Sequence, residues 1–556
     1  MGTVVLRIGV MLDSWTANAW VEQVVQDIQT SDFARAAFVI LNTPILLERP
    51  TWSKRLQGYW KFGLFNRYQE WDSRKHGGNA NSRAPKDIRR YLEGAEVLRV
   101  EPFRKGFTDR FREEDLDAIR RQELDVIFRF GFRIIRGGIL NTARYGVWSF
   151  HHGDNREYRG APPLFWEIYE RNPVSGTVLQ ILTDTLDGGH VIYRSHSSTN
   201  QVSLQLNRNP VYWKTASFGL RRLRDLQEKG WPYIESLETY NEEVPYERRI
   251  FKTPNAVEMA SFLGRLVVRK TRKKVHSVLR GTKVQWFLAI RLRRPERSFD
   301  DATGYRIIKP PGDRFYADPF LMEREGRTWL FLEDYRYAEQ RAVISCAEIF
   351  PGGEMGRPAE ILRRPYHLSY PFLFEYEGTV YMIPETKENR TIELYRATVF
   401  PHEWVFDRVM MEGVFAVDCT IHRAEEKFWM FTGLSDGRYS NCDELALFLA
   451  DSPFGPWKPH PGSPVLSDVR RARPGGAIFC EDGRLIRPSQ DCSKAYGYAL
   501  CFSEITVLNE RDFREVPLSR IEPNWTRNNL GTHTYARSNS FEVIDGNFAK
   551  RHWPIR

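Results

Sequence analysis

The 556-residue sequence predicts two fold classes in one chain, an α/β unit followed by an all-β unit built from repeated strand pairs. Three observations carry the prediction. Near the start, apolar runs alternate with a stretch of helical periodicity. From residue 317 onward, one strand–turn–strand plan recurs five times. Between these regions lies a basic stretch without a single acid. A chain this long exceeds what one core supports, and at 42% apolar residues it fills ordinary cores.

Taken in order, residues 4–12 (VVLRIGVML) read as a buried strand, AWVEQVVQDI spaces its apolar side chains as a helix does, and AAFVILN (36–42) is a second strand. Strand, helix, strand at this spacing is a βαβ unit and predicts a parallel sheet. Residues 51–93 form an aromatic, charged insertion, a helix followed by a polar loop over 77–85. A helix is predicted over 113–122 and a buried strand over 124–128. No G-x-G-x-x-G follows these strands, so a dinucleotide site is not expected. A helix around SFGLRRLRDLQEKG closes the first domain, assigned to residues 1–250.

Residues 251–298 are predicted to be a basic helical linker. From Arg265 to Arg294 there are eleven Lys or Arg, so of the net charge of +10 the remainder of the chain carries −1. A charge this local excludes a general nucleic-acid binder. The stretch reads as a solvated helix, with peripheral contact to an anionic membrane (265–294) as the functional alternative. No apolar run approaches the roughly 20 residues that span a bilayer, and no secretory leader is evident, so a cytoplasmic location is expected. The six cysteines contain no C-x-x-C pair; free buried thiols and no metal site are expected.

The repeats are ADPFLMEREGRTWLFLE, SYPFLFEYEGTVYMIPE, VDCTIHRAEEKFWMFTG, GGAIFCEDGRLIRPSQD and HTYARSNSFEVIDG, anchored near 318, 371, 418, 475 and 533 at intervals of 47 to 58 residues. Strand pairs at that period indicate a five-bladed β-propeller over residues 299–556.

The segment Gly146–Tyr193 carries the candidate chemistry. His151 and Asp187 each end an apolar run, where an open α/β sheet forms its site. A carboxylate beside an imidazole fixes its tautomer and steadies its protonated form, as a general base requires. On the residues alone, a capping Asp and a satisfied surface His remain the alternative. The Tyr158-Arg159-Gly160-Ala161-Pro162-Pro163 turn offers an arginine for an anion or for a protein carboxylate.

Ser149-Phe150-His151, the bend Gly153-Asp154-Asn155-Arg156, Tyr158-Arg159-Gly160 and Asp187-Gly188-Gly189 together resemble the folate-dependent formyltransferases. The resemblance is clear over residues 124–193 and weaker back to residue 4. It implies a Rossmann-like formyltransferase fold that uses 10-formyltetrahydrofolate, with His151 assisting proton transfer and Asp187 orienting it. Ser149 stands where the family has its oxyanion-donating Asn, and Asn155 is the substitute. Phe130, Gly131, Phe132, Asp184 and Gly188 would line the folate pocket. Tyr158 and Arg159 would face the acceptor, an amine on a nucleotide sugar, glycan or glycolipid.

In the second half, ADPFL, HLSYPFLFE, MIPET, ELYRA and RPSQDCSKAYGYAL resemble the propeller module that begins the glucosamine inositolphosphorylceramide transferases, a fold related to five-bladed glycoside hydrolases. That resemblance implies inward carboxylates, here Asp318, Glu385, Asp418 and Asp491, which bind carbohydrate or catalyse glycosyl transfer or hydrolysis. Tyr370-Pro371 stands where the second blade should supply an acid, which favours recognition over hydrolysis. The leading expectation is formyl transfer with the propeller holding the carbohydrate. Propeller catalysis and a non-catalytic glycan-binding protein are the alternatives.

Overall fold

A computed structural model describes residues 5–43, 52–78, 80–105, 107–240, 246–280 and 282–551. Residue 4 of the first predicted strand, residues 51 and 79 of the insertion, and residues 241–245, 281 and 552–556 lie outside them. The chain divides into two compact units, Met1–Arg269 and Lys270–Arg556.

The first unit is built on a seven-stranded sheet in the order His190–Ser198, Val174–Ile181, Val147–His151, Val126–Arg129, Leu6–Leu12, Ala34–Asn42, Glu96–Val100. The last five run parallel. The expected parallel sheet is thus corrected at one edge, where Val174–Ile181 pairs antiparallel with both Val147–His151 and His190–Ser198. The chain leaving His151 makes only the short helix Trp166–Glu170 before it returns, too little for a parallel crossover. Ile8, Val10, Val126 and Trp148 are fully or almost fully buried with the apolar stripe of the helix Ala19–Thr30. The closing helix is longer than the sequence suggests, Leu204–Lys229, and Ser203 caps it by accepting from the Leu206 N–H. The insertion is the helix Trp52–His76.

The predicted linker dissolves into both units. The helix Ala256–Arg280 buries Met259, Phe262 and Leu266 against Phe65, Phe165 and Trp166 of the first unit. Thr282–Leu292, expected as linker, is a strand paired along its whole length with Phe541–Arg551. Its core TKVQWFLAIRL is apolar enough to bury Trp286, Phe287, Leu288 and Ala289, and its basic flanks disguised it.

The second unit consists of five antiparallel sheets. Four sheets start from Arg314–Arg324, Ser369–Tyr376, Phe415–Ala424 and Arg473–Pro474, and the fifth joins Arg306–Ile308, Thr282–Leu292, Phe541–Arg551 and Tyr535–Arg537. The fifth sheet therefore closes the ring by pairing the first long strand of the unit with its last. In three sheets the inner strand breaks register at the same place, between Ala317 and Phe320, Ser369 and Phe372, and Val417 and Thr420. The residue at each bulge has positive φ: Asp318, Tyr370 and Asp418. A bulge re-aims a side chain. The second anchor is therefore Tyr370, one residue before the Pro371 of the repeat. The cysteines are free and five are buried, but Cys480 is exposed, against expectation.

Val543 pairs with Ile290 on one side and Ala536 on the other and is fully buried. Val543→Pro removes a ladder hydrogen bond from a central strand and leaves a buried carbonyl unpaired, so the second unit should lose about 1–3 kcal/mol. In scanning calorimetry its transition should fall or vanish while the first unit's persists; an unchanged thermogram would refute the ring closure.

Candidate functional site

In the first unit His151 is the last residue of the strand Val147–His151, and Asp187 sits with positive φ in the turn before His190–Ser198. The fold brings them together: His151 Nδ1 lies 3.5 Å from Asp187 Oδ1. His151 Nε2 is 2.8 Å from the Tyr158 carbonyl, which only accepts, so this nitrogen carries a proton. Both ring nitrogens thus face protein partners. Asp187 Oδ2 accepts from the Gly160 N–H at 2.9 Å. Gly160 is required there: at φ 106 its backbone meets the strap around Phe251, whose oxygen would lie 2.1 Å from any added Cβ.

The expected oxyanion donors are differently placed. Ser149 Oγ is buried and accepts from Arg129 Nε at 3.2 Å. Arg129 also donates to the Arg133 carbonyl; burial pushes its guanidinium down, with Asp187, Asp13 and Asp109 acting the other way. Arg129 therefore fills the space beside Ser149. Asn155 folds inward and donates to the Asp187 carbonyl at 3.4 Å, and its own Oδ1 is buried with no protein partner.

Of the expected folate residues, Phe130 is partly buried and stacks on Phe128 and Phe150, with Trp20 edge-on to it. Gly131 and Phe132 brace against Asp13, whose carboxylate accepts from the Phe132 N–H at 2.7 Å. Asp184 accepts from the Gly137 N–H and borders a cavity of about 630 Å³ lined also by Leu140, Tyr145, Thr183 and Trp231. Gly188 packs beside Thr185 and Arg159. Tyr158 is buried and donates to Glu170, while Arg159 donates to the Asn155 carbonyl and lies over the Tyr246 ring. Beneath the turn Glu167 is buried with both oxygens unpartnered, and burial pushes it up to about 8.

In the second unit Asp318, Asp418 and Glu385 do converge, but on partners the sequence reading missed. Asp418 Oδ2 accepts from Arg473 Nε at 2.6 Å and Gln490 at 2.7 Å, and its Oδ1 accepts from Arg473 Nη2 at 3.0 Å. The same guanidinium reaches Glu385 at 3.3 Å and the Tyr496 hydroxyl at 3.3 Å. Asp318 accepts from the Thr534 hydroxyl at 2.8 Å and the Tyr370 N–H at 3.2 Å. Tyr370, in place of an acid, accepts from the Gly476 N–H and bonds Thr420. Asp491 stays out of this group: its carboxylate takes Arg520 at 2.9 Å and caps Ser493, because it ends the second strand of its sheet, one strand out from Arg473–Pro474.

Burial pushes Asp318 up to about 7 and Asp418 up to about 6, with His533 and Arg473 respectively pulling the other way. His533 stacks on Trp286 at 4.1 Å, with Nδ1 2.6 Å from Asp545 and Nε2 3.5 Å from Asp318. Burial opposes its charge, but Asp545 and Asp318 outweigh that and raise it to about 9. Asp318, His533 and Asp545 also place ligand atoms within 4.8 Å of one another, the spacing of a cation site. Asp545 is already met by the N–H groups of His533 and Thr534, so the protein itself satisfies the oxygens a cation would need. Tyr496 is 50% exposed and packs edge-on to His533. An exposed ring over a charged floor suits a sugar face.

Residues 309–548 match the family described as "Glucosamine inositolphosphorylceramide transferase 1, N-terminal". The chain is 36% identical over 206 residues to the glucosamine inositolphosphorylceramide transferase 1 of Arabidopsis thaliana, covering 36% of this chain and 27% of that protein. It is 34% identical over 210 residues to that of Oryza sativa subsp. japonica, covering 37% and 28%. The chain thus spans under a third of the length of these curated relatives. Among solved structures, the GH62 α-L-arabinofuranosidase catalytic domain of Coprinopsis cinerea aligns at 12% identity and TM-score 0.33, covering 44% of this chain and 96% of that one. Glycinamide ribonucleotide transformylase 1 from Symbiobacterium toebii aligns at 16% and 0.25, covering 42% and 90%.

The His533 pKa has a direct consequence for stability. A group raised from 6.5 to about 9 on folding stabilises fully below 6.5 and loses that contribution as pH rises through about 9. Asp318, also raised, acts in the same direction at lower pH. The melting temperature of the second unit should fall between pH 6.5 and 9, and His533→Gln should flatten that slope; a parallel slope in the variant would assign it elsewhere.

Proposed function

We propose that the second unit recognises a saccharide of a glycoconjugate at the mouth of its channel and does not cleave it. One observation carries this reading: the buried carboxylates of Asp318 and Asp418 are held on both oxygens by the protein's own donors, while Tyr496 stands half-exposed above them. A glycosidase needs one carboxyl free to protonate the leaving oxygen and another free to attack or activate water. Here Arg473 occupies both oxygens of Asp418, and Thr534 and Tyr370 occupy those of Asp318. The family match supports a headgroup of the inositolphosphorylceramide type as the class of glycan, and a place in group transfer to such a glycolipid.

A soluble probe of that class, glucosaminyl inositol phosphate, should bind with measurable heat in titration calorimetry. Tyr496→Ala, which removes the half-exposed ring, should weaken it about tenfold, the worth of one aromatic stack of ~1.5 kcal/mol. Release of free sugar by the wild type that disappears in Asp418→Asn would overturn recognition in favour of hydrolysis.

A second reading, N-formyl transfer by the first unit, is favoured by the 3.5 Å approach of His151 and Asp187. It requires His151 to leave the Tyr158 carbonyl and Ser149 to leave Arg129. Incubation with 10-formyltetrahydrofolate and amino-sugar nucleotides, read by mass spectrometry, should then give a formylated sugar lost in His151→Ala by a factor of at least ~100. No product from either protein would retire this reading.

A further inference from the structure

Cys442 lies in the turn between the strands Lys427–Ser435 and Leu445–Ala450, and Cys492 directly follows the strand Arg484–Asp491. Adjacent sheets thus bring them together in a buried cluster with Val469. Each touches the group that holds Asp418. Cys442 Sγ accepts from Arg473 Nη1 at 3.9 Å, and Cys492 Sγ lies 3.9 Å from Oε1 of Gln490, whose Nε2 donates to Asp418.

We infer that Cys442 and Cys492 form a reversible dithiol–disulfide couple whose oxidation loosens the clasp of Arg473 and Gln490 on Asp418. Its effect on binding rests on the saccharide reading of the channel; its chemistry does not. The two sulfurs are not equivalent. Cys442 accepts from the Arg473 guanidinium, which favours its thiolate, whereas the Cys492 S–H faces the Gln490 side-chain oxygen as a donor and so keeps its proton. Cys442 is therefore the thiolate nucleophile and Cys492 the resolving thiol. With hydrogen peroxide as oxidant, the Cys442 thiolate attacks one peroxide oxygen. An S–O bond forms, the O–O bond breaks, and hydroxide leaves to take up a proton. The Cys492 sulfur, losing its proton, then displaces hydroxide from the sulfenic acid, so that an S–S bond forms and the S–O bond breaks. Two thiols and one peroxide yield one disulfide and two waters. The negative charge beside Arg473 is lost, and both sulfurs are drawn off the residues that fix Asp418.

The test treats the full chain with hydrogen peroxide, alkylates the remaining thiols after denaturation and maps peptides by mass spectrometry. The expected product is a Cys442–Cys492 linked peptide that dithiothreitol abolishes, with buried Cys346 and Cys419 still alkylated. In Cys492→Ser, dimedone should label Cys442 as the unresolved sulfenic acid. Recovery of both thiols in alkylated form, with only the exposed Cys480 oxidised, overturns the couple. Glucosaminyl inositol phosphate should bind the oxidised protein about tenfold more weakly, as expected when one charge-assisted hydrogen bond is disturbed. Equal affinity in both redox states overturns the loosening of the clasp. A linked peptide with no probe bound in either state faults the saccharide reading and leaves the couple standing.

Discussion

The second unit depends on polar groups passed from sheet to sheet around its channel. Asp318 of one sheet accepts from the backbone of Tyr370 in the next; the Tyr370 hydroxyl meets Thr420; Asp418 takes Arg473; and Tyr535 donates its N–H to Gly475. Thr534 returns to Asp318 and completes the circuit. Ions this deep are tolerated only when each has a partner, and here each of these charges meets one on another sheet or another strand. The bulges at 318, 370 and 418 make this possible, since positive φ tips each side chain out of the alternation of its strand. The sheets are therefore joined at the axis by specific bonds as well as by the apolar faces between them.

The same principle separates the two candidate sites. In the channel, compensation leaves a ring exposed and both oxygens of Asp318 and of Asp418 held, which suits holding the face of a sugar. In the first unit the imidazole and carboxylate adjoin in the order a proton-transfer site needs, but Arg129 takes the hydroxyl of Ser149 and the Tyr158 carbonyl takes His151 Nε2. A short hydroxyl accepts from a long guanidinium more readily than it projects toward a ligand, and Ser149 does so here.

Much of this was legible in the sequence where the signal was periodic or local. Strand pairs recurring from residue 317 give five sheets because each repeat carries its own turn and its own apolar alternation. His151 and Asp187 were legible because each ends an apolar run. Thr282–Leu292 was not, since flanking lysines and arginines gave it the look of the basic helix before it and its partner strand lies at the far end of the unit. Arg473, His533 and Asp545 were equally hidden. Their roles arise from meeting Asp418 and Asp318 across sheets, and no spacing along one chain encodes that meeting. Asp491 matched the pattern of an inward acid, yet a strand-end carboxylate beside Arg520 is satisfied before it reaches the axis.

The pairing of Thr282–Leu292 with Phe541–Arg551 also sets a timetable. During synthesis the first of these strands emerges before four whole sheets have been made, and the second only after them. At ordinary translation rates that interval is on the order of tens of seconds. Throughout it, Trp286, Phe287 and Leu288 belong to a strand with its main partner absent, an open edge of the kind that pairs with foreign chains. The basic residues on either side of that strand, which obscured it in the sequence, are well placed to act as gatekeepers: like charges on neighbouring nascent chains repel where the edge is stickiest.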